Sequence, residues 1–237
     1  MPKRPPLSRR AATAAAWPLG LALTSWNYMW RTTPMHRREE RGTTREDAPP
    51  PLPDRVSHEE LQRPVDGVGP LFHRTYRTRI RNPSLSAEQL FAAIRANPNK
   101  VAPTEFARFF KVHGDQEMQV GDEYVVRMPG PWDGPVRVVE MTPCSFRLAT
   151  LAGHLEAGQI EFSASDGAQL VVSVESWARS GDRLSDLLYQ RLRMAKEIQL
   201  HMWTSFLEQV VKLAGGRMSG GIEIVTRRVD NMAEHDG

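Results

Sequence analysis

Residues 182–214 read DRLSDLLYQRLRMAKEIQLHMWTSFLEQVVKLA, a run with neither Pro nor Gly. Leu184, Leu188, Leu192, Ala195, Met202, Phe206, Val210 and Leu213 form a drifting apolar stripe, the spacing of an amphipathic helix. Asp182 supplies a cap at its start, and Gly215-Gly216 a stop at its end. At about 1.5 Å per residue a straight helix of this length spans nearly 50 Å. That exceeds an ordinary globular helix and predicts one that lies across a whole sheet.

Working upstream, residues 123–128, 136–141, 145–151, 158–164 and 170–178 are short β-rich runs. Turn residues separate them: Pro129-Gly130-Pro131, Thr142-Pro143 and Ser165-Asp166-Gly167. Parallel pairing needs a crossover of a dozen or more residues, so these spacings predict antiparallel neighbours. Asp166-Gly167 is a hairpin signal. Residues 71–80 read as another strand, with Phe72, Tyr76 and Ile80 on one face. Ser86 with Glu88-Gln89 opens a short helix over residues 87–96, striped by Leu90, Phe91 and Ile94. Phe106, Phe109 and Phe110, spaced i, i+3, i+4, predict a second short helix over residues 105–112. A short strand at residues 222–225 precedes a fraying tail. The expected fold class is α+β, a curved antiparallel sheet with two short helices and one long C-terminal helix packed across it.

That order resembles the helix-grip fold of the START-like (SRPBCC) superfamily, which includes polyketide cyclases, lipid-transfer domains and plant pathogenesis-related allergens. More closely, the chain resembles a branch known as the domain of unknown function numbered nineteen-ninety. The residues that carry the likeness are Leu151-Ala152-Gly153-His154-Leu155-Glu156-Ala157-Gly158 followed by Ile160-Glu161-Phe162. They look like that branch's Gly-His-Pro-Glu-x-Gly turn leading into an apolar strand, with Leu155 in place of the proline. Val174-Glu175-Ser176-Trp177-Ala178-Arg179-Ser180 resembles its next long strand. The resemblance covers residues 69–215 and implies a fold and a pocket between sheet and helix, but no settled activity.

Four regions are expected: a weakly apolar segment over residues 1–30, a disordered linker over 31–69, the START-like domain over 70–216, and a tail over 217–237. In the first, Lys3, Arg4, Arg9 and Arg10 precede an uncharged run from Ala11 to Trp30 that is about long enough to cross a bilayer. Trp26, Tyr28 and Trp30 gather at one end like interfacial anchors, whereas Pro18, Gly20, Thr24, Ser25 and Asn27 suit a hydrocarbon span poorly. A membrane anchor, a secretion signal and a disordered extension therefore stay open, with the protein expected in the cytoplasm or at a membrane through residues 11–30. The second region is rich in Arg, Glu, Pro and Asp and contains Pro49-Pro50-Pro51, too little apolar surface to offset ordering entropy. A capping box, Ser57 with Glu60, marks a short helix within it.

A net charge of +3 in a chain of 237 residues, with its basic residues dispersed, does not call for a nucleic-acid partner. One cysteine, Cys144, cannot form an internal disulfide or a multi-cysteine zinc site, and it reads as a packing or loop residue or as a reactive thiol. No phosphate-binding glycine loop, Gly-x-Ser-x-Gly elbow or nucleotide fingerprint is present, and no cofactor is expected.

The candidate ligand lining is Tyr76, Tyr124, Phe146, Phe162 and Trp177 from the sheet with Met194, Ile198, Met202 and Phe206 from the helix. The same residues also suit a dry core. His154 and Glu156 share one turn, either as an acid–base pair or as side chains that bond the turn's own backbone. Glu197 and His201, spaced i, i+4, have metal-ligand spacing without a third ligand, so no metal is expected. Arg74, Arg77 and Arg79 make a basic strand, a solvated outer face or a contact for an acidic partner. The residues lean toward a module that binds or carries an apolar small molecule or lipid. A cyclase- or hydratase-like enzyme using His154, Glu156, Glu175 or Tyr76 is one alternative, and a protein-interaction scaffold another.

Overall fold

The computed structural model describes residues 33–103, 107–114, 117–127, 133–181 and 194–230, without the side chains of 194–199. Nine strands form one sheet: β1 (Met35–Arg41), β2 (Val68–Arg81), β3 (Arg108–Lys111), β4 (Glu123–Arg127), β5 (Asp133–Thr142), β6 (Ser145–Thr150), β7 (Glu156–Ser165), β8 (Leu170–Ser180) and β9 (Arg217–Val229). Their spatial order is β1-β9-β2-β8-β7-β6-β5-β4-β3. Every pairing is antiparallel except that of β1 with β9. Helix α1 (Ala87–Ala96) follows β2, and helix α2 (Met194–Leu213) joins β8 to β9. Because β8 and β9 both run antiparallel to β2, α2 is a crossover connection and packs over β2 and β9.

Local chemistry starts and stops the helices. Ser86 accepts the Gln89 amide at 3.2 Å, and the Gln89 side chain accepts the Ser86 amide at 3.0 Å, a closed capping box. Asp166, from the β7–β8 turn, accepts the Ala87 amide at 3.0 Å and so places its carboxylate at the positive end of α1. That turn spans Asp166 to Gln169, longer than the two-residue hairpin the Asp-Gly pair suggested. Helix α2 is stopped by Gly215, two residues past its end, whose φ of 71° suits glycine and whose amide donates to the Lys212 carbonyl.

Alternation in β2 shows which face is which. Tyr76, Thr78 and Ile80 are buried toward the helices, while Arg77, Arg79 and Arg81 are exposed. The main core lies between the sheet and both helices: Phe91 and Ile94 of α1 and Phe206, Leu207 and Val210 of α2 meet Tyr76, Phe146, Phe162 and Val174. Phe162 is its hub, 4.8 Å from Phe146, 5.1 Å from Phe206 and 5.5 Å from Trp203 between ring centroids. Gly158 of β7 passes so close to β8 that a Cβ there would run into the Trp177 carbonyl oxygen.

Several expectations are corrected. Residues 108–111 form strand β3, so Phe109 and Phe110 lie in a strand and not in the expected helix, while Phe106 lies outside the described residues. Phe109 packs edge-on against Tyr124 and Phe110 carries the Arg127 guanidinium over its ring, so neighbouring side chains diverge as they do in a strand. The expected tail holds β9, 13 residues long, in the space between β1 and β2. The expected linker contributes β1, and residues 42–63 then run as a strap over the sheet face opposite the helices. Val56 and Leu61 of the strap bury themselves against Val139, Ala149 and Leu151. Backbone bonds replace the missing apolar content: the Gln62 amide donates to the Thr150 carbonyl, and the Ala152 amide to the Glu60 carbonyl. Residues 57–60 form turns and contain no helix. The first part of the expected long helix, residues 182–193, and the apolar N-terminal segment lie outside the described residues. No helix among the described residues is long and apolar enough to cross a membrane.

Candidate functional site

Two polar clusters flank the central strands, one on each face. On the helix side, strand pairing lines up Ser176 of β8, Arg74 of β2 and Thr226 of β9. All three are buried, as are His201, Thr204 and Ser205 on α2. The Arg74 guanidinium lies 4.6 Å from the centroid of the Phe72 ring. The Thr204 hydroxyl is satisfied within its own helix by the Leu200 carbonyl. The Ser176 hydroxyl and the Trp203 indole N–H have no hydrogen-bond partner among the described residues and are closed to solvent. Buried donors left in this state cost about 1–3 kcal/mol each.

On the opposite face, the strap brings Asp47 against β2. Asp47 Oδ1 lies 2.6 Å from His73 Nδ1, and Glu175 Oε1 of β8 lies 2.6 Å from His73 Nε2. With a carboxylate on each ring nitrogen, both nitrogens must donate, which requires the imidazolium. Burial opposes that charge, but the bonds to Glu175 and Asp47 and their negative charges outweigh it and hold the His73 pKa above its ordinary value. The Trp177 ring stacks on the imidazole at 5.1 Å with 15° between planes. Arg227 of β9 approaches Asp47 at 3.8 Å and bonds Glu40 of β1 at 3.2 Å. Farther along the same face, Glu161 sits beside Glu175 and beside Arg147, which pairs with Glu140 at 2.5 Å. Burial raises the Glu161 pKa; Arg147 opposes the shift, and Glu175 and Glu140 add to it.

The predicted residues divide between the two faces. Tyr76, Tyr124, Phe146, Phe162 and Phe206 fall in one cluster on the helix side, and Met202 is buried on α2. Met194 and Ile198 lie in the first turns of α2, where side chains are outside the described ones; the same holds for Glu197. Trp177 is a correction. Val174 faces the helices, so strand parity turns Trp177 to the other face, where it packs with Leu71 and Val229. Burial, followed by the Asp122 charge, pushes the Tyr124 hydroxyl up to about 12.

His154, Glu156 and Glu175 do not converge. His154 Nδ1 accepts the Glu156 amide at 2.9 Å, its ring lies against Gly134, and burial keeps its pKa below the ordinary value despite the nearby Glu156 charge. Gln62 of the strap donates to the His154 and Glu156 carbonyls at 3.0 and 3.2 Å, which ties this turn to the strap. Glu156 pairs in register with Ser180 at one end of β8, whereas Glu175 pairs with Glu161 five positions away, about 16 Å along a strand. Cys144 is half-buried, and its carbonyl accepts the Ala164 amide. Sequence reasoning missed Asp47 and His73 altogether. Their signal was Leu71 and His73 on the parity of β2 that carries Arg77 and Arg79, two buried side chains at the start of an otherwise solvated face.

A family model described as "Domain of unknown function (DUF1990)" matches residues 44–208. Comparison with curated proteins finds no match. Among solved structures, the chain is similar to truncated norcoclaurine synthase from Thalictrum flavum, with 11% identity, TM-score 0.45, and coverage of 62% of this chain and 95% of that one. It is similar to the KanY protein (ms6282) at 12% identity and TM-score 0.43, covering 63% and 99%. A third is the major latex-like protein 151 of Panax ginseng, at 14% identity and TM-score 0.38, covering 55% and 97%.

Proposed function

The chain belongs to the DUF1990 family, and from that premise we propose that it binds an amphipathic small molecule between the sheet and α2. The observation that carries this reading is the pair of solvent-closed, unpartnered groups, the Ser176 hydroxyl and the Trp203 indole N–H, beside an aromatic surface. A filled core has no use for them, because an apolar side chain at either place avoids the desolvation cost. A ligand with an apolar body and a polar head satisfies both demands. Phe162, Trp203 and Phe206 supply the apolar wall, while Ser176 and the neighbouring buried cation Arg74 supply polar contacts. Binding is favoured over catalysis because His154 is engaged by its own turn and is separated from Glu175.

The test is native mass spectrometry of the purified chain, followed by a thermal-shift screen of fatty acids, sterols and aromatic polyketides. A bound mass, or a rise in Tm that Ser176→Val diminishes, is the expected result. A chain that carries no added mass and shifts with none of these classes overturns the reading.

A further inference from the structure

The strap over the outer face is held by two different kinds of contact. Residues 56–63 are fastened by apolar burial and backbone bonds. Val56 and Leu61 pack on Val139 and Leu151, Arg137 donates to the Ser57 and Glu59 carbonyls at 2.8 Å, and Thr150 donates to the Gln62 carbonyl at 2.8 Å. Residues 42–53 have less: the Gly42 amide donates to the Arg228 carbonyl at one end, and half-buried Leu52 packs against the same apolar cluster at the other. Arg147 and Gln159 reach the Pro51 and Pro50 carbonyls at 3.1 Å, yet Arg147 Nε and Gln159 Oε1 stay buried without partners beneath the strap. The principal side-chain attachment of this half is Asp47, whose second carboxylate oxygen also accepts the Thr43 amide at 2.7 Å and so fixes the loop that carries it.

We propose that the Asp47–His73–Glu175 clasp is a protonation-controlled latch, holding residues 42–53 on the sheet while His73 carries both ring protons and loosening them when it loses one.

The geometry dictates the switch. Two carboxylate oxygens 2.6 Å from the two ring nitrogens are compatible only with two N–H donors. A neutral ring presents a lone pair to one of those oxygens, and that arm becomes repulsive. The Glu175 side chain is 37% exposed and can turn to water, whereas that of Asp47 is 2% exposed and cannot. The Glu175 arm therefore opens first. The Asp47 arm weakens from a bond to a cation into a bond to a neutral donor, with its carboxylate still buried. The other charges facing the clasp do not substitute for the lost proton. Arg227 stands 3.8 Å from Asp47 but is engaged with Glu40, and Glu161 on β7 adds negative charge beside Glu175. Trp177 covers one face of the ring and supplies no hydrogen bond to it. The raised His73 pKa puts the switching range above 6.5: attachment is complete below that pH and declines as pH rises through the folded value.

Amide hydrogen exchange of the full chain, read by mass spectrometry between pH 6 and 9 and corrected for intrinsic exchange, tests the latch. Peptides from residues 43–53 are expected to lose protection by roughly tenfold to a hundredfold across the titration, while those from 56–63 hold theirs. The midpoint should coincide with the His73 ring titration followed by NMR. Asp47→Asn should move that midpoint to lower pH, and His73→Gln should leave residues 43–53 weakly protected at every pH. Should His73→Gln fail to fold, the wild-type pH series and Asp47→Asn still decide the matter. Unchanged protection of residues 43–53 through the ring titration, or a His73 ring that is neutral at pH 6, overturns the proposal.

Discussion

Phe162 and Phe206 meet with ring centroids 5.1 Å apart and planes at 57°, joining the middle of the sheet to the middle of α2. Both rings are almost fully buried, and Phe162 also touches Phe146 and Trp203. Phe162→Ala should lower unfolding free energy by about 3–5 kcal/mol and Phe206→Ala by a similar amount. The double variant should lose less than the sum, because the two share one cavity. Urea unfolding of the three variants measures both numbers.

Asp166 holds the first amide of α1 from a different supersecondary unit. Asp166→Ala should cost about 1 kcal/mol through the lost cap and dipole contact, and Asp166→Asn about half of that. Chemical denaturation checks the magnitudes. An equal loss in both variants would show that the carboxylate charge is irrelevant.

Burial holds the His154 pKa below its ordinary value. The unfolded chain takes up a proton at this ring near pH 6.5 that the folded chain refuses, so stability should fall as pH drops below that value. This slope is opposite in sign to that of His73. His154→Gln should flatten the acid limb of an unfolding free-energy profile measured from pH 5 to 8, leaving the alkaline limb in place.

Tyr124 should ionise late. Its hydroxyl is pushed up to about 12, so a spectrophotometric alkaline titration should show a late phenolate step that Tyr124→Phe removes. A titration complete near 10 in the folded protein would contradict the burial described for this ring.

Gly158 should tolerate no side chain. Gly158→Ala forces a Cβ into the Trp177 carbonyl and should cost roughly 1–3 kcal/mol or more by spreading β7 from β8. Circular dichroism melts measure this directly.

Strands β2 and β4 to β8, α1 and the described α2 were legible because their signals are local. Turn-bounded β-rich runs gave β4 to β8 to within three residues at each end, and Ser86 with Gln89 fixed the start of α1. The errors share a physical cause. Strand β3 is four residues long, too short for alternation to compete with three phenylalanines at helical spacing. Strands β1 and β9 are charged and weakly apolar, and each acquires its conformation from partners more than 130 positions away, as in Met35 with Ile222 or Arg81 with Arg217. The strap looked unable to fold because it contributes little apolar surface of its own, but its carbonyls accept bonds from Arg137, Arg147, Thr150 and Gln159. The helix-side aromatics of the candidate site could be named from parity and stripe. The clasp could not, since nothing in one dimension brings Asp47 to His73. Trp177 was assigned to the wrong side because aromatic character does not report parity.

The insertion of β9 between β1 and β2 fixes an order of events during synthesis. Strand β1 leaves the ribosome first of the nine, yet its only strand neighbour among the described residues is the last of the nine to emerge, and β2 keeps an open flank for the same interval. A nascent chain released at the end of α2 would thus expose two unmatched ribbons, the kind of edge that recruits other chains into aggregates. Residues 217–229 act as the closing stave of the sheet, and nonsense changes just upstream of them should yield insoluble protein even though the matched family region, residues 44–208, is intact.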